Sequence, residues 1–307
     1  MAQTRGTAAF LADNTEYRDV YVLLEGSLKE LKPIWRQYTN IETSDRKTEI
    51  SQSYIELGDV PEKAEGANYA TDLIRPGFTK SVTHTEFGLG FEMTETAGED
   101  DRFNVLKRNT KWLAFSSRYV EEKRAAATLN NGFSTETTAD GVAAFSASHV
   151  LGNGDAMRNI LSPGQDLSWN SLTQAMIDVQ TETKSDGGRL VTPITSWDIV
   201  VPPALEFTTA RIINSTLLPG VADNDSNELK KRRTFNIIVN PHLTDPDAWF
   251  LLASDKGRHG LMSYTRVPIT MGKPMEDART GNTIYKVRFR RSWFWRDPQG
   301  VFASAGA

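Results

Sequence analysis

Cysteine is absent from the 307-residue sequence, and its absence excludes several kinds of chemistry at once. Without a thiol, the chain has no disulfide framework, no thiolate nucleophile and no cysteine-ligated metal. Long apolar runs are missing too, since no stretch reaches the roughly 20 residues that a membrane-spanning helix requires. The first 19 residues also lack the basic start and apolar centre of a secretory signal. We therefore expect a soluble protein, made in a cytoplasm, with no membrane partner.

An excess of charge of one sign is also missing. The sequence has 35 basic and 39 acidic residues, for a formal net charge of −4. A protein that binds nucleic acid over its whole surface is usually basic, so only non-specific contact with nucleic acid is expected here. Hydrophobic residues make up 39% of the chain and charged residues 24%, which is ordinary for a globular protein with a real core.

Motifs that hold a cofactor or a metal are incomplete. Gly88 and Gly90 lack the third glycine of a dinucleotide-binding fingerprint, and the phosphate-binding pattern G-x-x-x-x-G-K-[ST] does not occur. Residues 223–227 resemble the start of a calcium loop, but Glu228 stands where that loop needs glycine and Thr234 where it needs glutamate. The four histidines form no close pair that would suit zinc. The sequence thus predicts no cofactor and no metal site.

One pair of residues suggests catalysis. Ser146 and His149 lie close in the chain, and a serine hydrolase needs a serine beside a histidine. The pattern G-x-S-x-G, which marks the nucleophile of many such enzymes, is absent around Ser146. The sequence therefore predicts that the protein is not an enzyme, with a serine hydrolase kept as the less favoured alternative. An ester probe that reacts with the protein, but not with a Ser146→Ala variant, would support that alternative.

The spacing of apolar residues predicts two amphipathic helices in the first half of the chain. The first follows the capping residues 13–15 and ends before Pro33. The second spans residues 99–130, with acidic residues at its start, where the helix dipole favours them. At a rise of 1.5 Å per residue it would be a rod of about 45 Å. The residues predicted to mark one face of this long helix are Phe103, Leu106, Leu113 and Val120.

Two stretches, residues 79–94 and 284–296, alternate in the manner of strands. In the second, Tyr285, Val287 and Phe289 alternate with basic residues, which is typical of a long half-buried strand. Between the long helix and this strand, loop-rich sequence separates short helices and strands. Because helices and strands do not alternate regularly, we predict an α+β fold rather than a βαβ series.

A long polar loop at residues 54–80 separates the first helix from the strand 79–94. It contains Pro61, Pro76 and three glycines, and short extended segments flank it. Loops of this length are uncommon in compact domains and are usually functional or disordered. Its length raises the question of what it contacts.

The order of these parts resembles the major capsid protein of tailed bacteriophages, which has the Hong Kong 97-type fold. In that fold an N-terminal arm precedes an extended two-stranded loop, the E-loop. A long spine helix, an axial domain and further peripheral strands follow. The resemblance implies an N-terminal arm at residues 1–46, the E-loop and spine helix of the peripheral domain at 47–131, an axial domain at 132–240, and the remaining peripheral-domain strands at 241–307.

The middle of the chain is similar, more specifically, to the Mu-like major head subunit family. Four stretches carry this similarity: GVAAFSASHVLGNG from Gly141 with Asn159 following, LSWNSLTQAM from Leu167, WDIVVPPALEFTTARIINS from Trp197, and NPHLTDPDAWFLL from Asn240. Their order and spacing are more specific than any one of them. Together they lie within residues 141–252, about a third of the chain.

The resemblance implies a structural protein that self-assembles through pentamers and hexamers into the icosahedral shell enclosing phage double-stranded DNA. Its partners would be copies of itself together with scaffolding, portal and decoration proteins, and DNA would be contacted only non-specifically. The protein would reside in the virion after assembly in the host cytoplasm. An encapsulin-like cargo shell of the same fold, which packages enzymes, is the first alternative.

In such a shell the E-loop would lie over an adjacent subunit. Exposed ion pairs contribute about 0–1 kcal/mol each, so its charged residues would set the register. Apolar anchors would supply most of the binding energy. The E-loop residues predicted to make these contacts are Ile55, Glu56, Asp59, Val60, Glu62, Lys63, Glu65, Tyr69, Asp72, Arg75 and Lys80.

Overall fold

The computed structural model describes residues 14–99, 104–190, 194–218, 225–255 and 257–307. Its helices are α1 (Asn14–Glu30), α2 (Trp35–Tyr38), α3 (Glu95–Glu99), α4 (Val105–Asn130), α5 (Trp169–Glu182), α6 (Glu206–Asn214) and α7 (Glu228–Arg232), with a 3-10 turn at Pro203–Leu205. None of these described helices is long and apolar enough to cross a membrane.

The strands that the structure describes range from two to 13 residues. They are β1 (Asn40–Thr43), β2 (Thr48–Ile55), β3 (Arg75–Thr83), β4 (Thr85–Met93), β5 (His149–Val150), β6 (Ala156–Met157), β7 (Ser196–Val201), β8 (Thr234–Val239), β9 (Trp249–Ala253), β10 (Leu261–Met271), β11 (Met275–Glu276), β12 (Thr283–Trp295) and β13 (Val301–Ser304).

The first sheet is built around β12. This 13-residue strand pairs antiparallel with β10, β4 and β11, and β10 pairs in parallel with β1. The strand predicted at residues 284–296 is confirmed. Its alternation is confirmed as well, because Tyr285, Val287 and Phe289 are buried while Lys286 and Arg288 are exposed.

The second sheet has the strand order β13-β9-β7-β8. β7 and β8 run parallel and are joined by a crossover through α6, whereas β9 and β13 are antiparallel to their neighbours. Helices α5 and α6 bury their apolar faces in one cluster that includes Leu172, Ile199, Ile212 and Leu251. Because β9 and β13 follow residue 240, the strand pairing crosses the boundary predicted between the axial domain and the last peripheral strands.

The N-terminal segment lies against the first sheet and the long helix. In α1, Val20, Leu24 and Leu28 are buried in one cluster with Leu113 of α4 and Val287 of β12. Strand β1 then adds a parallel edge to β10. The segment predicted as an arm therefore contributes its described part to the core of the first sheet.

The long helix begins later than predicted. The expectation was a continuous helix from residue 99, but α4 begins at Val105, and α3 is a separate short helix. The reason is Asn104, whose φ of 51° lies in the left-handed region, which a right-handed helix cannot contain and which asparagine tolerates. With 26 residues, α4 is about 39 Å long.

The predicted face of this helix is buried only in part. Leu113 is buried, and Leu106 and Val120 are half-buried. Phe103 lies outside the residues that the structure describes. The deepest part of α4 is its C-terminal half, where Ala125, Ala126 and Leu129 are fully buried, because there the helix lies between α2 and the strands of both sheets.

The strand predicted at residues 79–94 is two strands. β3 and β4 are separated at His84, whose buried ring contacts the hydroxyl groups of Ser292 (3.0 Å) and Ser44 (3.0 Å). β3 leaves the first sheet to pair with β2, while β4 remains in it and pairs with β12. An alternating pattern cannot reveal this division, because both strands keep the same period.

Candidate functional site

The loop at residues 54–80 is the tip and outer part of a two-stranded hairpin. β2 and β3 pair antiparallel from Thr48 opposite Thr83 to Ile55 opposite Arg75, with a bulge near Tyr54. Residues 56–74 form no strand or helix. The predicted two-stranded extended loop is therefore present, and we call residues 54–80 the E-loop from here on.

Asp72 ties the two sides of the E-loop together where they leave the hairpin. Its carboxylate accepts hydrogen bonds from the backbone N–H of Gly58 (2.7 Å) and of Leu73 (2.8 Å). These two backbone hydrogen bonds hold the pKa of Asp72 below its ordinary value of 3.8. These hydrogen bonds therefore hold together the two ends of the outermost segment, residues 59–71.

Near its base, the E-loop contacts its own chain. Ser185 Oγ donates a hydrogen bond to Glu56 Oε2 at 2.8 Å, and Arg189 Nε lies 3.0 Å from Asp59 Oδ1. Lys80 Nζ donates to the carbonyl oxygen of Thr137 at 2.9 Å. Together with Asp72, four of the residues predicted to contact a neighbour therefore have a hydrogen-bond or ion-pair partner within the subunit. Sequence reasoning did not find Ser185 and Arg189, because no local pattern connects them to a loop more than 120 positions away.

The outer part of the E-loop exposes apolar side chains. Val60 is 96% exposed and Tyr69 is 82% exposed, with the Lys63 ammonium 4.8 Å from the centre of the Tyr69 ring. Leu73 and Ile74 are exposed as well. The charged residues Glu62, Glu65 and Arg75 are exposed and form no ion pair with any other described residue. These exposed side chains are available to bind a second surface. The intersubunit contacts remain a prediction, and this geometry is compatible with them.

The Ser146–His149 alternative can be judged from hydrogen bonds. His149 is fully buried, and its Nδ1 lies 2.8 Å from Asp140 Oδ2 while its Nε2 lies 3.2 Å from Asn159 Oδ1. Ser146 donates its backbone N–H to the same Asn159 oxygen at 2.8 Å, and its Oγ accepts from Ser148 N–H. Both nitrogens of the ring are therefore engaged by groups other than the serine hydroxyl. A serine hydrolase needs the serine Oγ within hydrogen-bond distance of one of these nitrogens. We therefore interpret this network as structural rather than catalytic.

The buried carboxylate of this network yields a prediction. Burial raises the pKa of Asp140, but hydrogen bonds from His149, Thr138 and Val142 outweigh it and hold that pKa below 3.8. Asp140→Asn is expected to lower the unfolding free energy by about 2 kcal/mol at pH 7, because it removes a charge-assisted hydrogen bond. Since the folded pKa is depressed, the wild type holds this stability above pH 3.8 and loses it as the pH falls further, and the variant has none to lose.

Urea denaturation at pH 7 and pH 3 measures this difference. Asp155→Asn is the matched control, because the Asp155 side chain lies in the same region but is exposed and accepts a hydrogen bond only from the Asn153 side chain. Equal stability of wild type and Asp140→Asn at pH 7 would contradict the role assigned to Asp140.

Within the described residues, no group of three or more histidine and acidic side chains could hold a metal ion. Residues 223 and 224 of the calcium-like segment lie outside the described part of the chain. The described remainder of that segment serves a different purpose. Asn227 accepts a hydrogen bond from Leu229 N–H at 3.2 Å and so begins α7.

Comparisons with known proteins agree with this arrangement of an extended loop ahead of a long helix. The family model for phage capsid protein matches residues 77–304. Among solved structures, the capsid of the cyanophage P-SCSP1u aligns with a TM-score of 0.62 at 8% identity, over 90% of this chain and 88% of that chain. The mature capsid of bacteriophage PhiM1 aligns with a TM-score of 0.57 at 11% identity, over 89% and 86%. A virus-like particle from Pyrococcus furiosus aligns with a TM-score of 0.51 at 10% identity, over 94% and 98%.

No curated protein matches the sequence. At such low identity, the structural matches concern the fold alone. They confirm the predicted α+β architecture, with a two-stranded extended loop ahead of a long helix, as the Hong Kong 97-type capsid fold.

Proposed function

The chain belongs to the phage capsid protein family, and from this premise we propose that it assembles through pentamers and hexamers into an icosahedral head around double-stranded DNA. It is a major capsid protein, and it forms the shell of the particle. The encapsulin-like cargo shell is not favoured, because the family model that covers residues 77–304 is one of phage capsid protein. The proteins that share its family and fold are structural, and we propose that this chain likewise performs no catalysis.

The exposed apolar tip of the E-loop is the observation that supports the arrangement of subunits. A side chain of this size contributes about 1.5–3 kcal/mol when it is moved from water into an apolar contact. Val60 and Tyr69 gain nothing of this within the subunit, since both stand almost fully in water. We propose that they are covered by an adjacent subunit, where Glu62, Lys63, Glu65 and Arg75 set the register. Exposed ion pairs are too weak, at about 0–1 kcal/mol each, to hold that contact by themselves.

The remaining parts take roles that follow from this arrangement. Residues 1–46 would act as the arm and 47–131 as the E-loop and spine of the peripheral domain. The axial domain would be centred on residues 132–240, joined by β9 and β13, which complete its sheet. Closed cyclic interfaces between such domains generate rings, which pentamers and hexamers require. We place the chain in the Mu-like branch on the four stretches of the middle region. Assembly would occur in the host cytoplasm, with scaffolding, portal and decoration proteins as partners.

A pair of variants in the same loop tests the proposed contact. Val60→Asp/Tyr69→Asp is expected to abolish closed shells, because it replaces both apolar anchors by charges that cannot be buried without a partner. Glu62→Gln/Glu65→Gln, the matched control, is expected to leave shells intact. Negative-stain microscopy and light scattering give the readout, and thermal unfolding of the unassembled subunit checks the fold. Closed shells from the Val60→Asp/Tyr69→Asp chain would contradict the proposal.

A further inference from the structure

A row of exposed aromatic side chains runs along α4, outside the contacts considered so far. Trp112, Phe115 and Tyr119 are 59%, 56% and 45% exposed. Their spacing of three and then four residues places them on one face of the helix. The Phe115 and Tyr119 rings are stacked with centroids 6.1 Å apart, and the Tyr119 ring meets His242 edge-on at 5.2 Å. We call these three residues the aromatic row.

A cation closes each end of the aromatic row. The Arg108 guanidinium lies 5.1 Å from the centre of the Trp112 ring, and Lys123 Nζ lies 5.6 Å from the centre of the Tyr119 ring. From Arg108 to Lys123 the line is about 22 Å long, or roughly four turns. The surface thus has an apolar middle and two positive ends.

The solvent-exposed charges of α4 all have the same sign. Its exposed residues that carry a charge at neutral pH are all basic: Lys107, Arg108, Lys111, Lys123 and Arg124. Within the part of the chain that the structure describes, none of these five forms an ion pair. The acidic residues of the helix, Glu121 and Glu122, are buried and already accept hydrogen bonds from groups inside the fold.

A groove beside the aromatic row offers depth. It lies between the C-terminal end of α1 and the first half of α4, has a volume of about 490 Å³, and is lined by Leu31, Trp112 and Phe115 with Ser27, Glu30 and Lys111. Glu30 is its one acidic lining residue, and Lys111 stands among the lining residues of α4. Side chains from a partner could therefore enter the groove while the rest of that partner follows the row.

We propose that the aromatic row and this groove bind an acidic amphipathic helix of another polypeptide. An amphipathic helix presents apolar side chains at i, i+3, i+4 and i+7, which matches the spacing of the row, and grooves between helices recognise such partners. Aspartate and glutamate beside the apolar face would meet the unpaired cations, and such complementarity favours the right partner over others. The inference is independent of how the subunits contact one another through the E-loop.

Double-stranded DNA fits this surface less well. A duplex presents phosphates to the cations, but its bases are paired and stacked, so the three rings would face the charged backbone and gain no apolar contact. Single-stranded DNA could stack its bases on aromatic side chains beside basic residues. A nucleic-acid arm in the experiment separates this case from a helical peptide.

The first experiment measures binding of the full-length chain by fluorescence anisotropy. The probe is a fluorescein-labelled peptide of about 18 residues, long enough to be helical, with leucine at i, i+3, i+4 and i+7 and glutamate, glutamine and alanine elsewhere. A scrambled peptide of the same composition and a labelled oligothymidine are the comparison probes. We expect binding of the patterned peptide that weakens with salt, and at least tenfold weaker binding of both other probes.

Three variants locate the binding. Trp112→Ser/Phe115→Ser and Lys111→Glu/Lys123→Glu are each expected to weaken peptide binding by at least tenfold. Ile177→Ser, on an exposed apolar residue of α5, is the matched control and should bind like the wild type. Thermal unfolding shows whether each variant remains folded.

Several outcomes would overturn the proposal. They are equal binding of patterned and scrambled peptides, oligothymidine binding as tight as the peptide, and no loss of binding in the Trp112→Ser/Phe115→Ser variant. Loss of self-assembly in that variant with unchanged peptide binding would also overturn it, because the surface would then be a contact between copies of this chain.

Discussion

Replacing Arg291 by methionine is expected to lower the unfolding free energy of the subunit by about 3–5 kcal/mol, because it leaves a buried glutamate without its main partner. Arg291 Nη1 donates to Glu121 Oε1 at 2.7 Å, and both side chains are almost completely buried. Arg118 Nη1 holds the other oxygen of Glu121 at 2.8 Å. Since Arg118 remains in the variant, the loss should lie at the lower end of this range.

The rest of the surroundings of Arg291 show why methionine cannot replace it. Its guanidinium lies 4.7 Å from the centre of the Trp35 ring and 5.8 Å from that of Trp293. Burial lowers the pKa of Arg291 to about 10, which still keeps it charged at neutral pH. The cluster thus joins α2, α4 and β12 through one cation, and its removal affects all three elements.

Arg288→Met on the same strand is the matched control. Arg288 pairs with Glu86 at 3.7 Å, but both side chains are more than half exposed, so its removal should cost less than about 1 kcal/mol. Chemical denaturation of the unassembled subunit measures both variants. A double-mutant cycle of Arg291→Met with Glu121→Gln should show that the second change costs less once the first is present. A loss for Arg291→Met no greater than that for Arg288→Met would refute the assigned role.

Acidification from pH 6.5 to pH 4 is expected to remove about 3 kcal/mol of stability through His259 alone. Burial, followed by the charge of Arg296, lowers the pKa of this histidine from 6.5 to about 4. Below pH 6.5 the unfolded chain therefore binds a proton that the folded chain refuses until about pH 4. The contribution of His259 to the unfolding free energy is therefore present above pH 6.5 and is lost as the pH falls from 6.5 to 4.

The hydrogen bonds of His259 explain why it stays neutral. Its Nδ1 faces two donors, the backbone N–H of Leu261 at 3.3 Å and the Asn40 amide nitrogen at 3.4 Å. The orientation of that amide is set, because its oxygen accepts from Gly257 N–H and its nitrogen donates to the His259 carbonyl oxygen at 2.7 Å. A proton on Nδ1 would have no acceptor to meet.

His259→Asn separates this effect from other titrations. The asparagine oxygen can replace Nδ1 as an acceptor but takes up no proton. Burial raises the pKa values of Asp198 and Glu122, and these carboxyl groups act with the opposite sign, so the readout is the difference between wild type and variant. Urea denaturation at half-unit steps should show a steeper loss of unfolding free energy in the wild type than in His259→Asn. Parallel curves for wild type and His259→Asn would disprove the prediction.

Local patterns predicted the elements whose own residues decide them. The alternation in residues 284–296 marks β12 because each side chain reports its face, and the apolar spacing of residues 20–31 marks α1. The predicted start of the long helix was wrong, because nothing in the local sequence distinguishes the acidic residues before Asn104 from the first turn of a helix. The same holds for the break at His84, where the contacts with Ser44 and Ser292 separate two strands of equal period.

The candidate site divides in the same way. The E-loop could be predicted because a stretch so long and polar cannot fill a core, and Val60 and Tyr69, predicted as its apolar anchors, are exposed there. Its own-chain partners and the exposed aromatic row could not be. Trp112, Phe115 and Tyr119 have the composition of a buried face, and only the positions of neighbouring elements leave them in water.

By itself, then, the sequence determined which kinds of chemistry are excluded and where the periodic helices and strands lie. Composition and spacing are sufficient for this, because they depend on the residues of each segment alone. It excluded thiol chemistry, and its order of parts matched a shell protein. Only the tertiary structure decided which polar groups are buried together. Glu121 and Arg291 are 170 positions apart, and Asn40 and His259 are 219 apart. The cost of burying such groups depends on the partner that meets them, and that partner is brought near only by the folding of the whole chain.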